Sequence, residues 1–314
     1  MRTRRRPATV VAALGVMLTA VMFTAVVFAV AAPLSAQADT PDHDGPESSL
    51  ISFRLPETSD AFLTPNARNF AVSGTTGSPL LLFLPATRSI PRDYRSFLDT
   101  AASLGYHVLA LDYPNRGESV VRLCAGNPRC YGAVQRNRFE GGGASAFSAV
   151  DRRDSILNRL RMSLTHLQQS DQGGGWSRYY SGDRIRWNRI VVAGHSQGGG
   201  LSAYIAHRYR VHGALMFSSP VQSDAGVPAR WMRTSGATPA SAMYGLVDRG
   251  DRYVANVTAS WATLGMTGQH AIVSELDLGS PRDSHLRTVT DLTPRAEGAP
   301  LLAPTWRWML SQVR

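Results

Sequence analysis

The sequence predicts an α/β chain, a mostly parallel sheet with helices on both faces, and three observations point there. Apolar runs such as 79–84 and 105–112 are continuous rather than alternating, the pattern of strands buried on both sides. These runs alternate with stretches of helical spacing. One of them, 190–193, passes directly into Gly194-His195-Ser196-Gln197-Gly198, and a helix-forming stretch at 200–207 follows.

The chain opens with Arg2, Arg4, Arg5 and Arg6, then an apolar run from Ala8 to Ala32, then an Ala-x-Ala site at Ala36 and Ala38. A basic end, an apolar middle and small residues at a cleavage site make a secretory leader over 1–38, cut after Ala38. The run of about 25 residues is also long enough to span a bilayer as a retained anchor. Either way the body of the protein is expected outside the cytoplasm, secreted or at the cell envelope. Residues 39–50 are polar, carry two prolines and read as a flexible linker.

One domain is expected over 51–314, a length that buries a single sizeable core. Strands are expected at 51–55 and 69–72 as edges, then at 79–84, 105–112, 190–193, 213–219, 242–247 and 270–273. Helices are expected at 94–104, 200–207 and 301–313. Between Tyr113 and Arg184 lies an irregular insert with one clear helix, whose Ile156, Leu160, Leu164 and Leu167 fall on one stripe.

The formal charge is +10, but the leader holds four of the 33 basic residues and no acid. The remainder has 29 basic against 23 acidic residues, +6. Every basic residue is arginine, spread along the chain without a nucleic-acid-binding motif, so no nucleic-acid partner is expected. The leader leaves membrane association open. Two cysteines, Cys124 and Cys130, flank an Asn-Pro turn signal and are expected to pair in an oxidising compartment. Two thiols without a nearby histidine fall short of a metal site.

The turn at 194–198 has the form GxSxG. A serine held on a sharp strand-to-helix turn leaves no room for side chains two positions to either side, and Gly194 and Gly198 meet that demand. A serine hydroxyl becomes nucleophilic when a histidine takes its proton, and a carboxylate must orient that histidine. Asp248 directly follows the strand at 242–247 and is the first choice of acid, with Asp251 three positions on and Asp224 as rivals. Of the eight histidines, His285 stands in the loop after the last strand. His43 lies in the linker, His107 and His270 head strands, His166, His207 and His212 sit on or after helices, and His195 should point away from its neighbour's hydroxyl. Oxyanion donors are expected from the N–H of Gln197, at a helix start, and from the loop after the strand at 79–84, with Thr87 first and Ala86 second.

These residues resemble the α/β-hydrolase superfamily from about Leu80 to Arg314. The matching pieces are Leu84-Pro85-Ala86-Thr87, where that superfamily often has His-Gly, then Asp112-Tyr113-Pro114-Asn115-Arg116-Gly117-Glu118-Ser119, Gly194-His195-Ser196-Gln197-Gly198-Gly199, and the later Asp248 and His285. The resemblance implies an eight-stranded sheet and a Ser-His-Asp hydrolase.

The expected function is an exported serine hydrolase of the carboxylesterase or lipase-like kind, acting on a small-molecule or lipid-like ester without a cofactor. An envelope acyltransferase or peptidase of the same fold is the nearest alternative. A non-catalytic, surface-anchored binding protein is another. Trp176, Trp187, Trp231 and Trp261 are candidates for lining a cleft over Ser196.

Overall fold

The computed structural model describes residues 50–55, 66–125, 127, 129–143, 146–224 and 227–314. The leader at 1–38 and nearly all of the linker lie outside the described residues; Leu50, assigned to the linker, instead opens the first strand.

Among the described residues, eight strands form one sheet: β1 (Leu50–Phe53), β2 (Asn69–Val72), β3 (Leu80–Leu84), β4 (His107–Ala110), β5 (Ile190–His195), β6 (Gly213–Phe217), β7 (Met243–Asp248) and β8 (Ala271–Ser274). Their spatial order is β1-β2-β4-β3-β5-β6-β7-β8. Only β2 runs against the others, pairing antiparallel with β1 and β4, while every other pair is parallel. This is the fold class that the apolar runs and their helical spacers imply.

Among the described residues, eight α-helices accompany the sheet: α1 (Arg95–Ser103), α2 (Val120–Leu123), α3 (Cys130–Glu140), α4 (Ile156–Ser170), α5 (Gln197–Arg208), α6 (Val254–Thr263), α7 (Pro281–Leu286) and α8 (Ala303–Gln312). Strand pleating divides the core in two, because successive side chains point to opposite faces. Leu81 and Phe83 of β3 join Phe97 and Ala101 of α1 and Trp306 and Met309 of α8. Leu80, Leu82 and Leu84 face the other way, toward Leu160 and Leu164 of α4, Leu201 and Ile205 of α5, and Trp261 of α6. All of these side chains are buried, and each leucine, isoleucine, phenylalanine and methionine among them contributes roughly 1.5–3 kcal/mol of apolar transfer.

The apolar stripe of α4 lies wholly inside, Ile156, Leu160, Leu164 and Leu167 alike. The insert around it is less irregular than its composition suggests, since α2 and α3 precede α4 there. Cys124, just past α2, is bonded to Cys130, the first residue of α3, with Cα atoms 5.2 Å apart. Arg159 of α4 is fully buried between Asp154 (2.8 Å) and Asp112 (3.4 Å), which ties the insert to the end of β4. No helix among the described residues is long and apolar enough to cross a membrane.

Candidate active site

Ser196 sits between the last residue of β5 and the first of α5, with φ 52° and ψ −111°. That left-handed conformation is costly for a residue with a side chain and persists only where its surroundings enforce it. Here they do. The Ser196 N–H is held by the Phe217 carbonyl of β6 at 2.9 Å, and its own carbonyl accepts from Gly200 N–H at 3.0 Å. A Cβ on Gly194 would run into the backbone of Gly198, and one on Gly198 into the carbonyl of Leu84. The glycines are therefore required by the close approach of β3, the turn and α5.

His285 Nε2 lies 2.8 Å from Ser196 Oγ. On the other side of the ring, Nδ1 lies 2.8 Å from Asp251 Oδ2. A carboxylate accepts only, so Nδ1 carries the proton and Nε2 is left as acceptor for the serine hydroxyl. His285 and Asp251 are both buried, and the Tyr253 ring packs edge-on against the imidazole with centroids 5.2 Å apart.

The expected acid, Asp248, is not on the imidazole. β7 runs one residue further than its apolar pattern suggests and takes in Asp248 as its last residue, paired in register with Ser274 of β8. The Asp248 carboxylate then accepts the Gly250 N–H at 3.0 Å, and its carbonyl accepts the Asp251 N–H at 3.0 Å, which closes a turn. That turn delivers Asp251, the rival three positions on, whose second oxygen is fixed by the Tyr253 N–H at 2.8 Å. His285 also differs from expectation in its element. It stands on the short helix α7, started by Pro281 and capped by Ser280, whose side chain accepts from Asp283 N–H.

On the opposite side of Ser196 stands the loop after β3. Thr87 Oγ1 donates to Gln197 Oε1 at 2.9 Å, and Tyr113 donates its hydroxyl to the Pro85 carbonyl at 2.6 Å. The loop is held further by Asn115, whose amide donates to the Ala86 and Ser89 carbonyls at 2.7 and 2.8 Å. Such side-chain ties shape a loop that has Pro85-Ala86 in place of glycine, and the positive φ falls later, at Arg88 (65°). The Ala86 N–H is occupied by the Tyr94 hydroxyl at 2.9 Å. By contrast, the backbone N–H groups of Thr87 and Gln197 have no partner among the described residues, and Gln197 opens α5, where the helix dipole is positive.

A narrow cleft opens above Ser196. Val120 and Val121 of α2 and Val221 form its apolar wall, with Ser119 and Gln222 beside them. Tryptophan does not line it. Trp176, Trp187 and Trp261 are buried in the core, and Trp231 donates to Gln222 Oε1 at 2.9 Å from behind the wall. A broader polar groove between α3 and the start of α4, bordered by Arg136, Arg152 and Arg161, includes none of Ser196, His285 or Asp251.

No family model matches the chain, and no curated protein matches it. Among solved structures it is similar in fold to TT1662 from Thermus thermophilus, at 17% identity and a TM-score of 0.42, over 84% of this chain and 97% of that one. The functional reading therefore rests on the site's own geometry.

Proposed function

We propose that the protein is an exported serine hydrolase that cleaves carboxylic esters of short acyl groups. The observation that carries this reading is the unbroken line from Ser196 Oγ through His285 to Asp251, with both hydrogen bonds at 2.8 Å. Ser196 attacks the ester carbonyl while its proton passes to His285 Nε2. Negative charge gathers on the former carbonyl oxygen and is met by the N–H groups of Gln197 and Thr87. His285, held by Asp251, gives the proton to the departing alcohol, and water then releases the acid from the acyl-enzyme by the reverse proton path.

Export is supported by the leader in the sequence, and no step in this scheme draws on a cofactor. Short acyl groups are favoured because Val120, Val121 and Val221 close in on the cleft above Ser196. With each buried methylene worth about 0.8 kcal/mol, a chain that cannot be buried gains nothing from its length. Purified protein should hydrolyse p-nitrophenyl acetate in preference to the octanoate and be labelled by a fluorophosphonate probe. In Ser196→Ala, turnover should fall by about 10⁵-fold or more, with labelling lost. Wild-type turnover in that variant, or an unlabelled wild-type protein, overturns the reading.

A further inference from the structure

His195, the residue before the nucleophile, is fully buried and turned away from Ser196. Its ring completes a chain of hydrogen bonds behind the site. The Ala86 N–H donates to the Tyr94 hydroxyl oxygen at 2.9 Å, and that oxygen lies 3.1 Å from His195 Nδ1. His195 Nε2 lies 2.8 Å from the backbone carbonyl of His285. The polarity of the chain is fixed by its ends. A carbonyl can only accept, so His195 Nε2 carries the proton; Nδ1 is then an acceptor, and Tyr94 donates to it while accepting from Ala86.

We propose that Tyr94 and His195 are positioning residues, a relay that sets the oxyanion loop and the backbone of His285 in fixed relation to the nucleophile turn. The inference rests on the hydrolase reading of the site. Three segments distant in sequence must present three groups to one carbonyl carbon, and the relay touches all three. It starts one residue before Thr87, passes through the residue before Ser196, and ends on His285 itself. On the open side, the Thr87–Gln197 side-chain bond joins two of the same segments, so the loop is gripped from front and back.

The surroundings keep the relay in one protonation state. Burial, with the nearby His285 ring, pushes His195 down to about 3, while the His285 carbonyl and Asp251 act in the opposite direction. Burial pushes the Tyr94 phenol up against the opposing hydrogen bonds of the Ser89 side chain and the Ala86 N–H, and the nearby Tyr113 and Asp93 push it the same way as burial. A neutral imidazole whose Nε2 faces a carbonyl, which can only accept, has one tautomer available. If the phenol hydroxyl is removed, Nδ1 loses its donor and the Ala86 N–H loses its acceptor. Both the loop and the imidazole are then free to shift, and displacements of this kind cost about 10- to 100-fold in rate without weakening substrate binding.

The test compares Tyr94→Phe, His195→Gln and His195→Leu with wild type, using p-nitrophenyl acetate kinetics and ¹⁵N NMR of the histidine side chains. In wild type, His195 should show a protonated Nε2 and a bare Nδ1 from pH 5 to 9. Tyr94→Phe should lower kcat by about 10- to 100-fold with KM within about threefold, shift the acid limb of the kcat/KM profile, and mix the His195 tautomers. His195→Gln, whose carboxamide can donate and accept along the same path, should recover most of the activity that His195→Leu loses. Folded Tyr94→Phe or His195→Leu with wild-type kcat and an unmoved pH profile overturns the relay, as does a wild-type His195 protonated on Nδ1. Absence of ester turnover in wild type overturns the hydrolase reading instead, and the NMR tautomer still decides the geometry.

Discussion

The turn around Ser196 at 194–199 and the insert between β4 and β5 are both built around buried polar groups, yet they hold their shape by different means. The turn is shaped by exclusion. Backbone from β3, β5 and α5 approaches so closely that only hydrogen fits at Gly194 and Gly198, and Ser196 is forced to a positive φ. The insert is shaped by pairing. Arg159 stands fully buried between two aspartates, and Asn137 bonds three backbone groups across Gly142 and Val150. Exclusion leaves its mark at each position in the sequence. Pairing leaves none, because either member alone looks like a surface residue.

The sharpest way to break this comparison uses the aspartate that ends β7 and the one three residues beyond it, the first serving the strand end and the second the imidazole. Asp251→Asn should lower kcat by about 10⁴-fold, roughly 5.5 kcal/mol of transition-state stabilisation, since an amide cannot hold the imidazole in the required tautomer. Asp248→Asn keeps an oxygen for the Gly250 N–H and should cost less than about tenfold. Steady-state kinetics on the two folded variants decide it. A larger loss at Asp248 would return the acid to the end of β7.

The insert is tested at Arg159. Arg159→Met removes the cation and leaves the carboxylates of Asp112 and Asp154 buried, although Asp112 keeps the Ala67 N–H at 2.8 Å. Breaking a buried ion pair from one side costs about 3–5 kcal/mol, so urea unfolding should show a loss of that order. A loss below about 1 kcal/mol would mean that the packing of Ile156, Leu160, Leu164 and Leu167 holds α4 in place without the pairing.

The same distinction explains what was legible in the sequence. Strands β3 to β8 and helices α1, α4, α5 and α8 announce themselves through apolar runs or stripes, and their observed bounds fall within a few residues of those read from the pattern. Ser196 and His285 follow from the turn and from elimination among the histidines. α3 does not announce itself, because Gln135, Asn137 and Arg138 are buried beside Tyr131, Val134 and Phe139 and erase any stripe. Which carboxylate meets the His285 ring was hidden for a related reason. Whether β7 ends at Val247 or Asp248 depends on pairing with Ser274, a contact that sequence spacing does not register. One weak signal was available, since the glycine at 250 leaves a turn between the two aspartates.

A covalent tie gives a smaller effect. The Cys124–Cys130 bond closes a short loop, so Cys124→Ser with Cys130→Ser should cost about 2 kcal/mol of stability in the chain-entropy account. The bond starts at the residue after α2, whose Val120 and Val121 wall the cleft. The preference for acetate over longer acyl esters should therefore relax in the double variant, measured as the ratio of kcat/KM across a p-nitrophenyl ester series. An unchanged ratio would place control of acyl length in Val221 and the oxyanion loop.

The smallest effect comes from pH and probes the turn from behind. His195 in the folded protein is pushed down to about 3, whereas an imidazole in the unfolded chain has its ordinary pKa near 6.5. As pH falls below about 6.5 the unfolded chain takes up a proton that the folded protein refuses, so this group's share of stability is complete above that pH and is lost progressively toward pH 3. The slope approaches about 1.4 kcal/mol per pH unit for one such proton. His107, also pushed down by burial, acts in the same direction. Asp112, pushed up by burial, acts in the opposite one, because the folded protein takes its proton first. His195→Gln leaves both of those groups in place, so the difference between the two proteins' urea midpoints from pH 7 to pH 5 isolates the imidazole. Wild type should lose stability over that interval and the variant should lose less. Parallel curves would mean that His195 takes up its proton in the folded protein as readily as in the unfolded chain, which its seat between the Tyr94 hydroxyl and the His285 carbonyl does not permit without breaking one bond of the relay.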